Sequence, residues 1–179
     1  VAASWAMLNS KGSAASVVAP GGSAGPFTRP ASDFAVQRIG ADGRCLFRAL
    51  SAGTGTGDEA SAADSLRAAV VAELRKRREE VEWFLELPFE DYLRRMAQSA
   101  TWGGEPELLM ASKVLHRPLW VWMPGELVDR NRHSGRLVRT ASYGDELGME
   151  ESTVVHLRYT GGHYELLLPK ESSVPRSRL

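Results

Sequence analysis

Asp42-Gly43-Arg44-Cys45-Leu46-Phe47-Arg48-Ala49-Leu50 holds the only cysteine of the chain. A glycine-bearing turn precedes that cysteine, and Leu46, Ala49 and Leu50 follow it at helical apolar spacing. A thiol placed where a loop enters a helix sits at the positive end of the helix dipole, among amides with no intrahelical partner. Both features favour thiolate. An unperturbed cysteine near pKa ~8.5 is only a few per cent ionised at neutral pH, and a helix N-terminus can bring it to ~3.5–7.5. The backbone amides of Gly43, Arg44 and Cys45 could also hold an oxyanion on a carbonyl attacked by the sulfur. Gly43 lets the backbone turn tightly and approach a substrate closely. A lone cysteine is otherwise most often a small buried hydrophobe.

The 179 residues suit one domain with a real core. Lys+Arg and Asp+Glu both total 22, so bulk charge exerts no pull toward nucleic acid or an anionic membrane. A single cysteine excludes an internal disulfide and a Cys-rich zinc site, and no His-Glu-x-x-His run is present. It points to a reducing compartment, read as cytoplasmic with a nuclear or organellar location left open. No apolar run approaches the ~20 residues that span a bilayer.

Residues 1–31 are rich in Ala, Ser, Gly and Pro and carry no acidic residue, which predicts a disordered leader or linker. The start at Val1 is compatible with a fragment, and the acid-poor leader with the tail of a transit peptide. The folded unit is placed at 32–170 and a flexible tail at 171–179. Asp33 to Ile39 reads as a short strand approaching the Cys45 loop. Leu66, Val70, Leu74, Val81, Phe84 and Leu85 recur at helical spacing over about 61–87, with Pro88 as the stop. Helices are expected over 89–98 and 105–116, the latter with proline in its first turn. Pro118 to Met123 reads as a central strand and Pro124 to Gly135 as a polar loop. Strands are expected over 137–142, 153–159 and 163–168. Helices first and strands last predict an α+β arrangement, with the Cys45 helix packed against a largely antiparallel sheet.

A cysteine nucleophile needs a base, and the chain has four histidines. His116 ends a helix, where histidine commonly meets the carbonyls. His133 stands alone in a polar stretch. His156 shares strand parity with Arg158, opposite Val155, Leu157 and Tyr159, and is read as a surface residue. His163 follows Gly161-Gly162 and opens an apolar strand, so its ring can be held rigidly at the mouth of a cleft. Two carboxylates can orient that ring: Glu165, two residues along the same strand face, and Asp42, three residues before the sulfur. The residues leave the choice open.

Three segments together resemble one family. Asp42-Gly43-Arg44-Cys45-Leu46-Phe47-Arg48-Ala49 resembles the nucleophile motif of the OTU (ovarian-tumour) cysteine proteases. Trp102-Gly103-Gly104-Glu105-Pro106-Glu107-Leu108 resembles their Trp-Gly-Gly block, and His163-Tyr164 their histidine block. The likeness runs from about Phe34 to Pro169 and is nearest in feel to plant-type members. It implies a papain-like fold with helices around a small central sheet, and removal of ubiquitin from lysine without metal or organic cofactor. Cys45 is then the nucleophile, His163 the base and later the acid, and Asp42 the loop aspartate. Asp or Asn commonly stands two residues after the family's histidine; Glu165 stands there here. Trp102, Gly103, Gly104 and Tyr164 are expected to line a channel for a Gly-Gly tail. The implied partner is ubiquitin or polyubiquitin on protein substrates, met by a monomer with no nucleic-acid or membrane partner. Two other readings remain at this level: a non-catalytic ubiquitin-binding module, and a thiol hydrolase for another Gly-Gly-tailed modifier.

Overall fold

The run after Cys45 is apolar on nearly every side, and a helix so built must be buried all round. In the computed structural model, which describes residues 27–170, α1 (Cys45–Gly53) runs between a sheet and α2 (Ala60–Lys76). On α2 also packs α5 (Glu105–Leu115). Ala63, Leu66, Val70 and Leu74 form the inner stripe of α2, as the spacing predicts. The expected helix over 61–87 is interrupted. Arg77 leaves helical geometry at φ −112° and ψ 38°, and a short α3 (Arg78–Val81) and a 3-10 turn over Glu82–Phe84 follow. α4 (Phe89–Met96) starts directly after Pro88.

Six strands form one sheet in the order β1-β4-β3-β5-β6-β2. These are β1 (Thr28–Pro30), β2 (Phe34–Gln37), β3 (Leu119–Pro124), β4 (Arg136–Tyr143), β5 (Val155–Tyr159) and β6 (Tyr164–Pro169). Only β3 and β5 pair in parallel, so the expectation of a largely antiparallel sheet holds. β1 and β2 occupy opposite edges, yet only the 3-10 turn Ala31–Asp33 joins them. A flat six-stranded sheet is roughly 24 Å across. Four Cα steps reach about 14 Å at most. The sheet must therefore curl until its edges approach. Its inner side is filled by Phe34, Trp120, Trp122, Leu137 and Leu167, while α1 and α5 cover the other face and α2 packs on both helices.

Three sequence expectations need correction here. The expected leader over 1–31 runs too far, because Thr28–Pro30 pairs with Arg136–Val138; residues 1–26 and 171–179 lie outside the described residues. Pro124 to Gly135 is not a loop: α6 (Gly125–His133) occupies it, kinked at Asp129. Its polar composition hid the helix because little of it is buried. His156 is not a surface residue. The curl turns its strand face inward, and the ring is 1% exposed among Phe34, Trp120 and Trp122.

Candidate active site

Arg44 is the N-cap of α1 and Cys45 the first helical residue, so the sulfur stands at the helix N-terminus as the sequence predicts. It is 7% exposed, at the edge of the main apolar core. Gly43 before it has φ +82°, the left-handed region where glycine carries no steric penalty. A Cβ added there would stand 2.5 Å from the Ala100 carbonyl oxygen, so no other residue fits without moving backbone.

Asp42 organises this turn. Its Oδ1 accepts the Arg44 amide at 3.0 Å, and its Oδ2 lies 3.1 Å from the Arg48 guanidinium and 3.6 Å from that of Arg44. Burial works against ionisation of Asp42. The Arg44 amide and the two guanidiniums outweigh it and hold the carboxyl below its usual range. The Arg44 amide is thus already occupied, which corrects its place among the expected oxyanion donors. Gly43 and Cys45 keep amides with no partner among the described residues.

His163 lies just ahead of β6, half-buried, with Nε2 3.1 Å from the Ile39 carbonyl oxygen. A carbonyl can only accept, so Nε2 carries the proton and Nδ1 of the neutral ring keeps its lone pair. A proton-accepting nitrogen is thereby fixed next to the strand-to-loop segment that leads into Cys45. Neither candidate carboxylate hydrogen-bonds or ion-pairs with the ring. Glu165 faces its cross-strand neighbour Arg158, whose Nη1 donates to it at 2.7 Å. Asp42 is held by the arginines already named. The Ile39 carbonyl has no signature in a sequence, because any residue supplies one.

Trp102-Gly103-Gly104 closes the third side. A Cβ at Gly103 would stand 2.7 Å from Leu46 Cδ2, so this glycine lets the segment lie directly on α1. A Cβ at Gly162 would meet the Trp102 ring at 3.6 Å, which places the turn before His163 against that indole. The segments around residues 43, 103 and 162 therefore converge. Trp102 is 68% exposed and borders an open groove of about 1030 Å³ that Trp83, Phe84, Leu87 and Tyr92 also line. Tyr164 departs from expectation. It is 4% exposed and packed on Tyr159 in the core, so it is not a channel wall.

Glu107 escaped the sequence reading as a site residue. It is fully buried, its Oε2 accepts the Gly104 amide at 2.7 Å, and its Oε1 accepts the Tyr92 hydroxyl at 2.5 Å. Burial pushes its carboxyl up, against the pull of Tyr92 and the Gly104 amide. The signal was present: a helix N-cap followed three residues later by Glu is a capping pattern. Here that cap also fixes the glycine pair. No cluster of metal-ligating side chains occurs among the described residues.

The comparisons with known proteins bear on this arrangement. A model of the OTU-like cysteine proteases matches residues 40–164, which contain the cysteine turn, the Trp-Gly-Gly segment and the histidine. The chain belongs to the OTU-like cysteine protease family. Among its relatives is OVARIAN TUMOR DOMAIN-containing deubiquitinating enzyme 4 of Arabidopsis thaliana, 39% identical over 160 residues. That match covers 83% of this chain and 48% of the relative, so the chain spans about half the relative's length. The OTU domain of OTUD1 has a similar fold, with a TM-score of 0.63, 24% identity, and coverage of 76% of this chain and 87% of that one. The Hazara virus OTU bound to ubiquitin aligns with a TM-score of 0.61 and 22% identity, over 82% of this chain and 88% of that one. The α+β OTU fold expected from the sequence is the fold observed.

Proposed function

We propose that this OTU domain is a thiol-dependent deubiquitinase that hydrolyses isopeptide bonds at the C-terminal glycine of ubiquitin. The observation that carries the reading is the convergence of a helix-N-terminal cysteine, a histidine with Nδ1 left as the accepting nitrogen, and a glycine-floored segment beside an exposed indole. Family membership supports the reaction class, and the ubiquitin-bound family members support the partner.

The chemistry is acyl transfer. His163 Nδ1 takes the Cys45 thiol proton; the thiolate attacks the glycine carbonyl, and the sulfur–carbon bond forms as the carbonyl π electrons move onto oxygen. Gly43 and Cys45 amides stabilise that oxyanion, and each such donor is worth on the order of 10²–10³ in kcat. Protonated His163 delivers its Nδ1 proton to the lysine amine as the carbon–nitrogen bond breaks. His163 then takes a proton from water, which attacks the thioester and releases ubiquitin with Cys45 restored. Ile39 keeps Nε2 protonated throughout, the office a carboxylate or amide fills in other Cys-His sites. Asp42 acts by holding the turn. The narrow floor at Gly103 and Gly104 suits a tail without side chains.

Ubiquitin carrying a thiol-reactive C-terminus tests the reading. The unmutated protein gains the mass of one ubiquitin and Cys45→Ala gains none. No adduct on the unmutated protein would contradict the enzyme reading and leave a binding module.

A further inference from the structure

Arg67 sits on the apolar stripe of α2 between Ala63 and Val70, and only 2% of it is exposed. A charge in that place is expensive, and an apolar residue of similar volume commonly serves stability as well or better. The fork of this arginine makes no hydrogen bond to a carboxylate. Nη2 donates to the Gly43 carbonyl at 3.2 Å and to the Ser99 carbonyl at 2.8 Å. Nη1 donates to the Met96 carbonyl at 3.2 Å, and the guanidinium lies 4.3 Å from the Phe47 ring centroid. One turn earlier on the same helix, Asp64 accepts from Arg44 Nε at 2.9 Å and Nη2 at 3.2 Å. α2 therefore grips the turn before the sulfur with two side chains.

The peptide unit between Gly43 and Arg44 is held at both ends. Its carbonyl accepts from Arg67, and its N–H donates to Asp42. Rotation of such a unit changes ψ of Gly43, which carries no Cβ, and φ of Arg44, now −99°, so Arg44 alone opposes it sterically. Rotated by half a turn, it would aim the carbonyl oxygen at the Asp42 carboxylate and the N–H at the Arg67 cation. Both contacts would be repulsive, so the pair fixes one orientation. In that orientation the Gly43 and Cys45 amides remain the unengaged donors on either side of the clamp. The same Nη2 joins Gly43 to Ser99, three residues before Trp102, so the nucleophile turn and the channel segment share one anchor.

We infer that Arg67 is a positioning residue for acyl transfer: it locks the Gly43–Arg44 peptide so that the flanking amides can receive the oxyanion, and ties that turn to the segment leading into Trp102-Gly103-Gly104. The inference rests on the reading of Cys45 as the nucleophile. A reaction that builds no oxyanion, such as alkylation of Cys45 by iodoacetamide, should not need the lock.

The test compares the unmutated protein, Arg67→Lys, Arg67→Gln and the exposed control Arg75→Gln in two assays. One is turnover of an isopeptide-linked ubiquitin substrate; the other is the rate of iodoacetamide alkylation of Cys45. Arg67→Lys keeps the charge but loses the fork. Its kcat should fall about 10- to 100-fold, the range that misplacing catalytic groups by an ångström covers. Its KM and alkylation rate should stay within about twofold, since neither binding nor sulfur reactivity depends on the oxyanion donors. Arg67→Gln should lose at least as much kcat, and Arg75→Gln should match the unmutated protein. If Arg67→Gln does not fold, Arg67→Lys decides. A kcat for Arg67→Lys within twofold of the unmutated value overturns the inference. So does a parallel fall of turnover and alkylation, which would mark Arg67 as structural only. Turnover by the unmutated protein separates the two levels: its absence would sink the acyl-transfer reading itself, whatever Arg67 does.

Discussion

Two imidazoles in this molecule have the same proton arrangement and different surroundings. His156 accepts the Trp122 indole N–H on Nδ1 at 3.1 Å, so its neutral ring carries the proton on Nε2. His163 also carries its proton on Nε2, because that nitrogen faces the Ile39 carbonyl. The difference is what remains. In His156 the lone pair is spent on Trp122, Nε2 is buried without a partner, and the ring is enclosed by aromatic side chains on the inner side of the curled sheet. Burial, with the Arg29 and Arg139 charges, lowers its pKa to about 4. In His163 the lone pair is free and the ring is half-buried against the Ile39 carbonyl, on the segment that leads to Cys45. The histidine proposed as the base has one nitrogen anchored and the other left over, whereas His156 has both sealed away in the core.

Breaking that contrast gives effects of very different size. His163→Ala should lower kcat about 10²- to 10⁴-fold in a ubiquitin cleavage assay, the usual worth of a positioned proton-transfer group. Asp42→Ala comes next, with a loss of about tenfold or more, because it frees one end of the Gly43–Arg44 peptide. Glu165→Ala should lose less than Asp42→Ala, since Glu165 is engaged by Arg158. The reverse order would transfer the orienting role to Glu165.

His156 sharpens the comparison through pH. Its folded pKa of about 4 lies below the ordinary value of 6.5, so the unfolded chain takes up the proton first as pH falls. Its contribution is intact above pH 6.5 and is lost progressively between 6.5 and 4. The loss should reach about 3 kcal/mol at the lower end, readable as urea midpoints across that range. His156→Phe should flatten that slope. The same variant leaves the Trp122 N–H unpaired, which costs about 1–3 kcal/mol at neutral pH. Its kcat should nevertheless stay within about twofold, the smallest effect of the set. A tenfold loss would show that the two faces of the sheet are not independent.

What could be read in the sequence follows the same division. The α1 start at Cys45, the strand beginning at Tyr164 and the α5 helix were legible because local periodicity and glycine placement specify them. The curl was not legible, since it arises from a three-residue link between the two edge strands. Strand parity therefore put His156 on the correct face but outside the protein. Arg67 left a trace, as a charge on the apolar stripe at Ala63, Leu66, Val70 and Leu74, but its partners are backbone carbonyls far away in sequence. The Ile39 carbonyl left none. Polar networks built on main-chain atoms cannot be found from residue types alone.

The most direct measurement is an acid-quenched reaction of the unmutated protein with isopeptide-linked ubiquitin, followed by intact-mass analysis. The account predicts a transient species heavier by one ubiquitin less water, joined at Cys45 as a thioester and discharged by hydroxylamine. Cleavage that persists in Cys45→Ala, or turnover without any thioester species at any quench time, would contradict it.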